Sequence, residues 1–318
     1  MQIGDLDQKA IERELRGAGV AIDFGLARVR VRAEVTGFGA ALQLLYAHFP
    51  FEHARGFFEV SASLARGRGL RRYIRPQLHF VVDGERPFEP FPADTHLPLF
   101  EWGVNFCVAH RCNHLLLLHA GAVERDGAGV LLPALPGTGK STLTAALALR
   151  GFRLFSDEFG AVRLADGAMV PAPRPIALKN DSIELMRRFC SDAAFGPTFP
   201  RTRKGIVAHL APPAASVARR HEPVRPRLIV FPRFARGSAL KIETITRSRA
   251  FVKLSTNSFN YELLGPASFE SVGRLVQECA CYSLVYDDLE AAVRAIGDLV
   301  ASETRDEHSV GAGQRLPH

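Results

Sequence analysis

Nothing in this 318-residue sequence marks a membrane span. A spanning helix needs about 18 or more uncharged apolar residues, and the most apolar run, Leu115–Leu118, is far shorter. The first residues are acidic and polar, with no basic segment before an apolar one, so no signal peptide is expected. Paired cysteines are missing too. There are five, an odd number. Cys107 and Cys112 are too far apart for C-x-x-C, and Cys279-x-Cys281 has no second pair. That excludes a cysteine metal site and a disulfide framework, and fits a reduced, cytoplasmic setting. Repeats, low-complexity blocks and long linkers are absent. The net charge of +7 and pI near 9.4 allow a nucleic-acid partner, but arginine is spread along the chain rather than clustered. Acidic phosphate substrates, or simple surface charge, suit it better.

What remains is ordinary globular composition, 47% hydrophobic and 23% charged, enough for one large or two modest domains. Residues 1–98 read as an α+β lobe. A short polar helix over 1–17 precedes strand-like alternation over Val20–Val35 and an amphipathic helix over Phe38–Phe49. Strands follow at Phe57–Leu64 and Leu78–Val82, with a turn at Asp83-Gly84. The proline-rich run Pro87–Pro98 holds little regular structure. A helix over Pro98–Cys112 is expected to pack Trp102 and Phe106 inward. The lobe carries no catalytic motif, so scaffold or substrate docking is its role.

The informative stretch is Val130–Glu158. An apolar run, Val130–Leu132, enters a Gly/Pro loop that ends in Gly139-Lys140-Ser141-Thr142, and a helix-forming segment follows to Leu149. Arg150-Gly151 stops the helix. A second apolar run, Phe152–Phe155, leads to Ser156-Asp157-Glu158. This is strand–loop–helix–strand with the pattern of a phosphate loop at the first junction. Gly137 and Gly139 allow the backbone to curl until successive N–H groups converge on an anion, and the helix N-terminus favours negative charge. Pro136 to Thr142 (Pro136, Gly137, Thr138, Gly139, Lys140, Ser141, Thr142) would therefore wrap the phosphates. Lys140 would reach the terminal ones and Ser141 would offer a hydroxyl to Mg²⁺. The pattern departs at Ala134, where glycine is the rule. If the two strands are parallel, as in a βαβ unit, Asp157 and Glu158 emerge beside the loop. There they could bind Mg²⁺ and take a proton from a nucleophile.

A third residue joins them through register. Arg125-Asp126-Gly127 is a turn signal. A hairpin of Leu115–Val123 with Val130–Leu135 about Asp126-Gly127 gives partners whose numbers sum to about 253, which sets His119 opposite Ala134 at the mouth of the loop. A lone histidine in an apolar strand is more often a satisfied core residue. The register argues for the site instead.

H-A-G-A-V-E (119–124), the Gly/Pro loop and R-G-F-R-L-F-S-D-E-F-G-A-V (150–162) together resemble the catalytic core of the HPr serine kinase/phosphorylase family. The branch known as HprK-related kinase A, found with exosortase systems, is the more similar. The likeness to that branch extends to L-R-R-Y-I-R-P-Q (70–77), L-F-E-W-G-V-N (99–105), R-P-I-A-L-K-N-D-S-I (174–183), K-G-I-V-A-H (204–209) and V-F-P-R-F (230–234). The resemblance implies an α/β fold, a phosphate-loop kinase core of the HPr kinase/phosphoenolpyruvate carboxykinase type over 99–301 behind the N-terminal lobe. It implies ATP and Mg²⁺ as cofactors and a hydroxyl acceptor, a protein serine or a small molecule. It sets His119, Lys140, Ser141 and Asp157 at the family's His, loop Lys, loop Ser and catalytic Asp. Glu158 stands where those enzymes have a second Asp. On this reading Asp157 is the base, His119 orients or contacts phosphate, and Ser141 and Glu158 hold the metal. The glycine-rich stretch that couples kinase to phosphorylase action is not visible, so the likeness does not carry phosphorylase activity or recognition of HPr. It leaves room for a homo-oligomer.

Beyond the core, Ala172–Asn180 reads as a loop or edge strand, and a helix over Ser182–Cys190 follows a cap at Asn180 or Asp181. Pro197–Pro213 is a basic loop with Arg201, Arg203 and Lys204, either a mobile cover for a nucleotide site or a solvated turn. Strands are expected at Arg227–Phe231, Leu240–Ile245 and Tyr282–Tyr286, helices at Pro266–Cys279 and Leu289–Val300, and a disordered tail from Ser302. Two other functions stay open: another enzyme on this core, an NTPase or carboxykinase-like lyase, and a non-catalytic nucleotide sensor.

Overall fold

A computed structural model describes the backbone of residues 1–67 and 69–312, and the side chains of these apart from 71, 72 and 306–312. The chain is mixed α/β and divides into two compact units, Met1–Cys112 with Ala172–His221, and Asn113–Pro171 with Glu222–His318.

The first unit is built on a six-stranded sheet. Its spatial order is Glu52–His53, Val20–Asp23, Arg28–Ala33, Val60–Arg66, Gln77–Val82 and Phe91–Pro92. Alternation does the sorting: Val29, Val31 and Ala33 are buried while Arg28, Arg30 and Arg32 turn to the other face. The helix expected near Pro98 begins earlier, at His96, and runs to Arg111. It belongs to this unit because Phe100 packs on Phe38 and Tyr46, with ring centroids 5.3 and 6.4 Å apart. Trp102 corrects the inward expectation. It stands on the outer side, 37% exposed, stacked on Phe88 at 4.7 Å.

Residues 172–221 join the same unit through Arg174. Its guanidinium meets Glu101 at 2.6 Å and Asn105 at 2.6 Å, and Tyr46 donates to Glu101 at 2.5 Å. The expected boundary at 98/99 therefore does not coincide with this division: buried ion pairing ties a later segment back to the lobe. A three-stranded sheet, Ile176–Lys179, Gly205–Leu210 and Phe199–Thr202, completes the segment. The basic stretch is the turn of a hairpin rather than a free loop. Arg201 lies 3.4 Å from Asp94, and Arg203 sits 4.6 Å over the Phe91 ring. Asn180 precedes the helix Asp181–Phe189 but does not cap it with its side chain. That oxygen accepts from the Ile206 N–H instead.

The second unit carries β1 (Leu115–Arg125), β2 (Ala128–Pro133), α1 (Lys140–Leu149), β3 (Arg153–Ser156), β4 (Phe159–Arg163), β5 (Pro226–Phe234) and β6 (Lys241–Thr244). After these come α2 (Arg247–Thr256), α3 (Tyr261–Leu264), α4 (Pro266–Glu278), β7 (Ala280–Tyr286) and α5 (Leu289–Ala312). The sheet order is β4–β1–β2–β5–β7–β6, with β3 beside β4 on the same edge of β1. The β1–β2 hairpin turns on Asp126 and Gly127, both at positive φ (53° and 80°), as a type I′ turn demands. Its pairs, from Val123↔Val130 to Ala120↔Pro133, keep the expected sum of 253. β2 ends at Pro133, so the chain leaves the sheet just before Ala134.

β2 and β3 run in the same direction, as expected, with one strand between them. Each pairs antiparallel with β1, on opposite edges, so the crossover through α1 skips one strand. The parallel strands are β2, β5 and β7. The core lies under Leu116, Leu118, Phe155, Ile229, Leu254 and Leu275. Helix α5 continues to Ala312, which removes the expected disorder from Ser302 to that point; residues 313–318 of that tail lie outside the described residues. Among the described residues no helix is long and apolar enough to cross a membrane.

Candidate active site

The site starts from the loop 134–139. Gly137 and Gly139 both sit at positive φ (85° and 89°), which lets the loop reverse and deliver Lys140 to the first turn of α1. The Thr138 hydroxyl and the Phe234 N–H brace it, the first donating to the Leu135 carbonyl at 2.7 Å and the second to the Thr138 carbonyl at 3.0 Å. The Tyr286 hydroxyl points at the Gly139 carbonyl, 3.4 Å away. Burial raises the Tyr286 phenol far above its ordinary pKa, so it stays a neutral donor. Phe234 and Tyr286 are the last residues of β5 and β7. The carboxyl ends of the parallel strands therefore meet at this loop.

Helix α1 lies close on β1 because Gly121 has no side chain. A Cβ there would fall 2.1 Å from Thr144 Oγ1, whose proton goes to the Lys140 carbonyl at 2.9 Å. Ser141 and Thr142 are half-buried in the same first turn.

The acidic pair is placed by a bulge. Leu154 pairs with Val123 but Ser156 pairs with Ala122, so β3 carries one extra residue just before Asp157. The Ser156 hydroxyl then takes the N–H groups of Glu158 and Phe159, at 3.1 and 3.0 Å. In that turn the Lys140 ammonium donates to the Asp157 carbonyl and lies 3.8 Å from Glu158 Oε2. Glu158 Oε1 is 3.7 Å from His119 Nε2. Asp157 is buried and Glu158 half-buried. The structure thus brings together His119, Lys140 and Glu158 through their side chains, with Asp157 at the same corner. Lys140 is itself buried, which a lone ammonium would not tolerate; the Glu158 carboxylate and the Asp157 carbonyl are its partners.

Sequence reading gave no signal for what lies behind His119. Residues Asn257–Asn260, after α2, run along β1. The His119 N–H donates to the Asn257 carbonyl at 2.7 Å, and the Asn257 amide donates to the His119 carbonyl at 2.7 Å. The Phe259 ring stands edge-on to the imidazole, 5.4 Å away. Among the described residues no group of three or more His, Cys, Asp or Glu side chains could hold a metal ion.

No protein-family model matches the sequence, and no curated protein is similar to it. Among solved structures, the chain is similar to one described as the HPr(Ser) kinase/phosphatase from Coxiella burnetii. The identity is 14%, the alignment covers 60% of this chain and 98% of that one, and the TM-score is 0.24.

Proposed function

We propose that this chain is an ATP- and Mg²⁺-dependent phosphotransferase of the HPr kinase type, acting on a hydroxyl acceptor, a protein serine first. One observation carries the reading. A lysine at the first turn of a helix, behind a loop with two left-handed glycines, shares a carboxylate with a histidine on the neighbouring strand. That combines an anion cradle, a cation, an acid group and an imidazole in one corner.

The residues divide the work as follows. The N–H groups of 137–142 and the Lys140 ammonium bind and orient the phosphates. Ser141 and Glu158 would hold Mg²⁺. Their donors are a hydroxyl and a carboxylate, the hard oxygens that this ion prefers, and it takes its other ligands from phosphate and water. Bound there, it would offset charge on the transferring group. The acceptor oxygen forms a bond to the γ-phosphorus as the bond to the β-phosphate oxygen breaks, and ADP leaves. Asp157 takes the hydroxyl proton. His119 contacts or orients the phosphoryl oxygens. Glu158 offsets the charge of Lys140 and faces His119, so a phosphate at Lys140 would replace one anion with another.

The test compares Asp157→Asn with Glu158→Gln, using calorimetry for ATP binding and label incorporation for transfer to protein acceptors in a cell extract. Asp157→Asn should keep Mg-ATP binding within a few-fold and lower transfer by about 10²–10⁴. Glu158→Gln should raise the Mg²⁺ requirement. The opposite pattern reverses the two roles. Wild-type protein that binds ATP and never transfers its phosphoryl group is a sensor, and the proposal fails.

A further inference from the structure

Strand β1 has a gap in its pairing at the point where the site needs it firm. On one edge β4 covers it, from Arg163↔Leu115 to Phe159↔His119. On the other edge β2 covers only Ala120 to Arg125, because the chain leaves the sheet at Pro133 to make the loop. The backbone of residues 115–119 would face that edge without a strand. Asn257–Asn260 fill it as a strap. Ser258 bridges Leu118, and the Phe259 N–H donates to the Leu117 carbonyl at 2.8 Å. Three polar side chains supply what a regular strand would give. Asn260 accepts from the Leu117 N–H at 3.0 Å and donates to the Leu115 carbonyl at 2.9 Å. The Ser258 hydroxyl donates to the Leu117 carbonyl at 3.1 Å. Asn257 grips His119 from both backbone groups.

The strap's contacts separate into two kinds. Asn260 is buried and ties down Leu115 and Leu117, remote from the site chemistry. Asn257 is half-buried; its N–H closes α2 on the Leu254 carbonyl, and its side-chain amide donates to His119. Phe259 adds the side wall of the imidazole and packs on Phe159 at 5.0 Å, while 44% of it stays exposed. The imidazole is therefore fixed by Asn257 at its backbone, by Phe259 at its ring and by Glu158 at Nε2.

We infer that Asn257 is the positioning residue for His119, holding its backbone so that the imidazole faces Glu158 and the loop. This rests on the reading of His119 as a member of the site. A side-chain amide suits the task, because it donates to a carbonyl that β2 has abandoned at the edge of the loop. A histidine that contacts phosphate must be held to within about 0.5 Å, and an isolated strand end would not do so. The strap reaches back across 138 residues of sequence to do it.

The test needs no turnover. In full-length protein with ring-labelled histidine, His119→Gln identifies the His119 signals. Asn257→Ala should shift those signals and drop the ring order parameter below about 0.6. Asn260→Ala should lower the melting temperature at least as much and leave the His119 signals in place. Asn257→Ser, which keeps a donor, should restore part of the order. If transfer activity is found, Asn257→Ala should lower kcat about ten-fold while KM for ATP stays within two-fold. Unchanged His119 signals in Asn257→Ala, or equal changes in Asn260→Ala, overturn the inference. Absence of turnover in wild type would count against the phosphotransferase and leave the positioning result standing.

Discussion

Lys140 shows how one side chain can be both a burden and a tool. Its ammonium is buried, and its partners are the Asp157 carbonyl and the Glu158 carboxylate, 3.8 Å away. Neither is an ideal salt bridge, so the lysine is tolerated rather than strongly stabilised, and a phosphate chain would be a better partner than a single carboxylate. Lys140→Ala should accordingly cost the fold little and nucleotide binding much. The expected loss in Mg-ATP affinity is ten-fold or more, since a charge-assisted contact contributes about 1.5–3 kcal/mol. Titration calorimetry on a variant with a native melting curve measures it. Unchanged affinity there would remove the phosphate-binding assignment from the loop. Lys140, like Gly137, Gly139 and Ser141, was legible in the sequence because a fixed local spacing carries the chemistry. His119 was legible only through the hairpin register, which the structure keeps from Arg125↔Ala128 to Ala120↔Pro133 but not to the expected His119–Ala134 pair, since β2 ends at Pro133 and His119 meets Asn257 instead. Asn257 was not legible. Its role comes from a contact 138 residues distant, and neither periodicity nor spacing reports such a contact.

At the scale of elements, the junction of loop and helix is set by what backs it. Gly139 and Gly137 have similar positive φ, yet their surroundings differ. A Cβ on Gly139 would fall 2.8 Å from the Tyr286 hydroxyl and 3.1 Å from Phe234 Cβ; one on Gly137 meets nothing within 4 Å. Gly137→Ala should therefore carry only the backbone penalty, about 1–2 kcal/mol. Gly139→Ala should carry that and a displaced Tyr286, with a clearly larger fall in melting temperature. Removing the hydroxyl in Gly139→Ala/Tyr286→Phe should recover part of the difference. Equal effects of the two single alanines would mean that β7 does not brace the loop. The elements themselves were largely readable from the sequence: the hairpin, α1, β7 and α4 fall close to where alternation and capping put them. The sheet order was not, because the crossover skips β1 and nothing in a local pattern tells a neighbour from a next neighbour. The segment from α2 to α3 gave no reading, since its short helices mix polar and apolar residues without a clear stripe.

Across the whole molecule, the two units differ in what should move their stability. The first unit buries ionisable groups without nucleotide chemistry. His209 is buried, with no hydrogen-bond partner at Nδ1 among the described residues, and desolvation, helped by Arg174 and Lys179 against the pull of Glu101, lowers its pKa to about 4. His96 is lowered in the same direction, again mainly by burial. A histidine kept neutral in the fold takes up a proton once unfolded, where its pKa is near 6.5. Its stabilisation is therefore fully present above pH 6.5, falls as pH drops, and is gone by about pH 4. For His209 alone the loss is on the order of 3 kcal/mol. The second unit should respond to ligand instead: Mg-ATP at 100 times its Kd adds about 2.7 kcal/mol to whatever binds it. Because each unit has its own core, a single transition is not assured. Calorimetry between pH 7.5 and 4 should show one component sliding to lower temperature with acid, and His209→Leu should flatten that slide. Mg-ATP at pH 7.5 should raise the other component. One transition that moves as a block with both acid and nucleotide would show the units to be energetically inseparable, and a nucleotide-stabilised component that disappears in His209→Leu would put the ligand in the wrong unit.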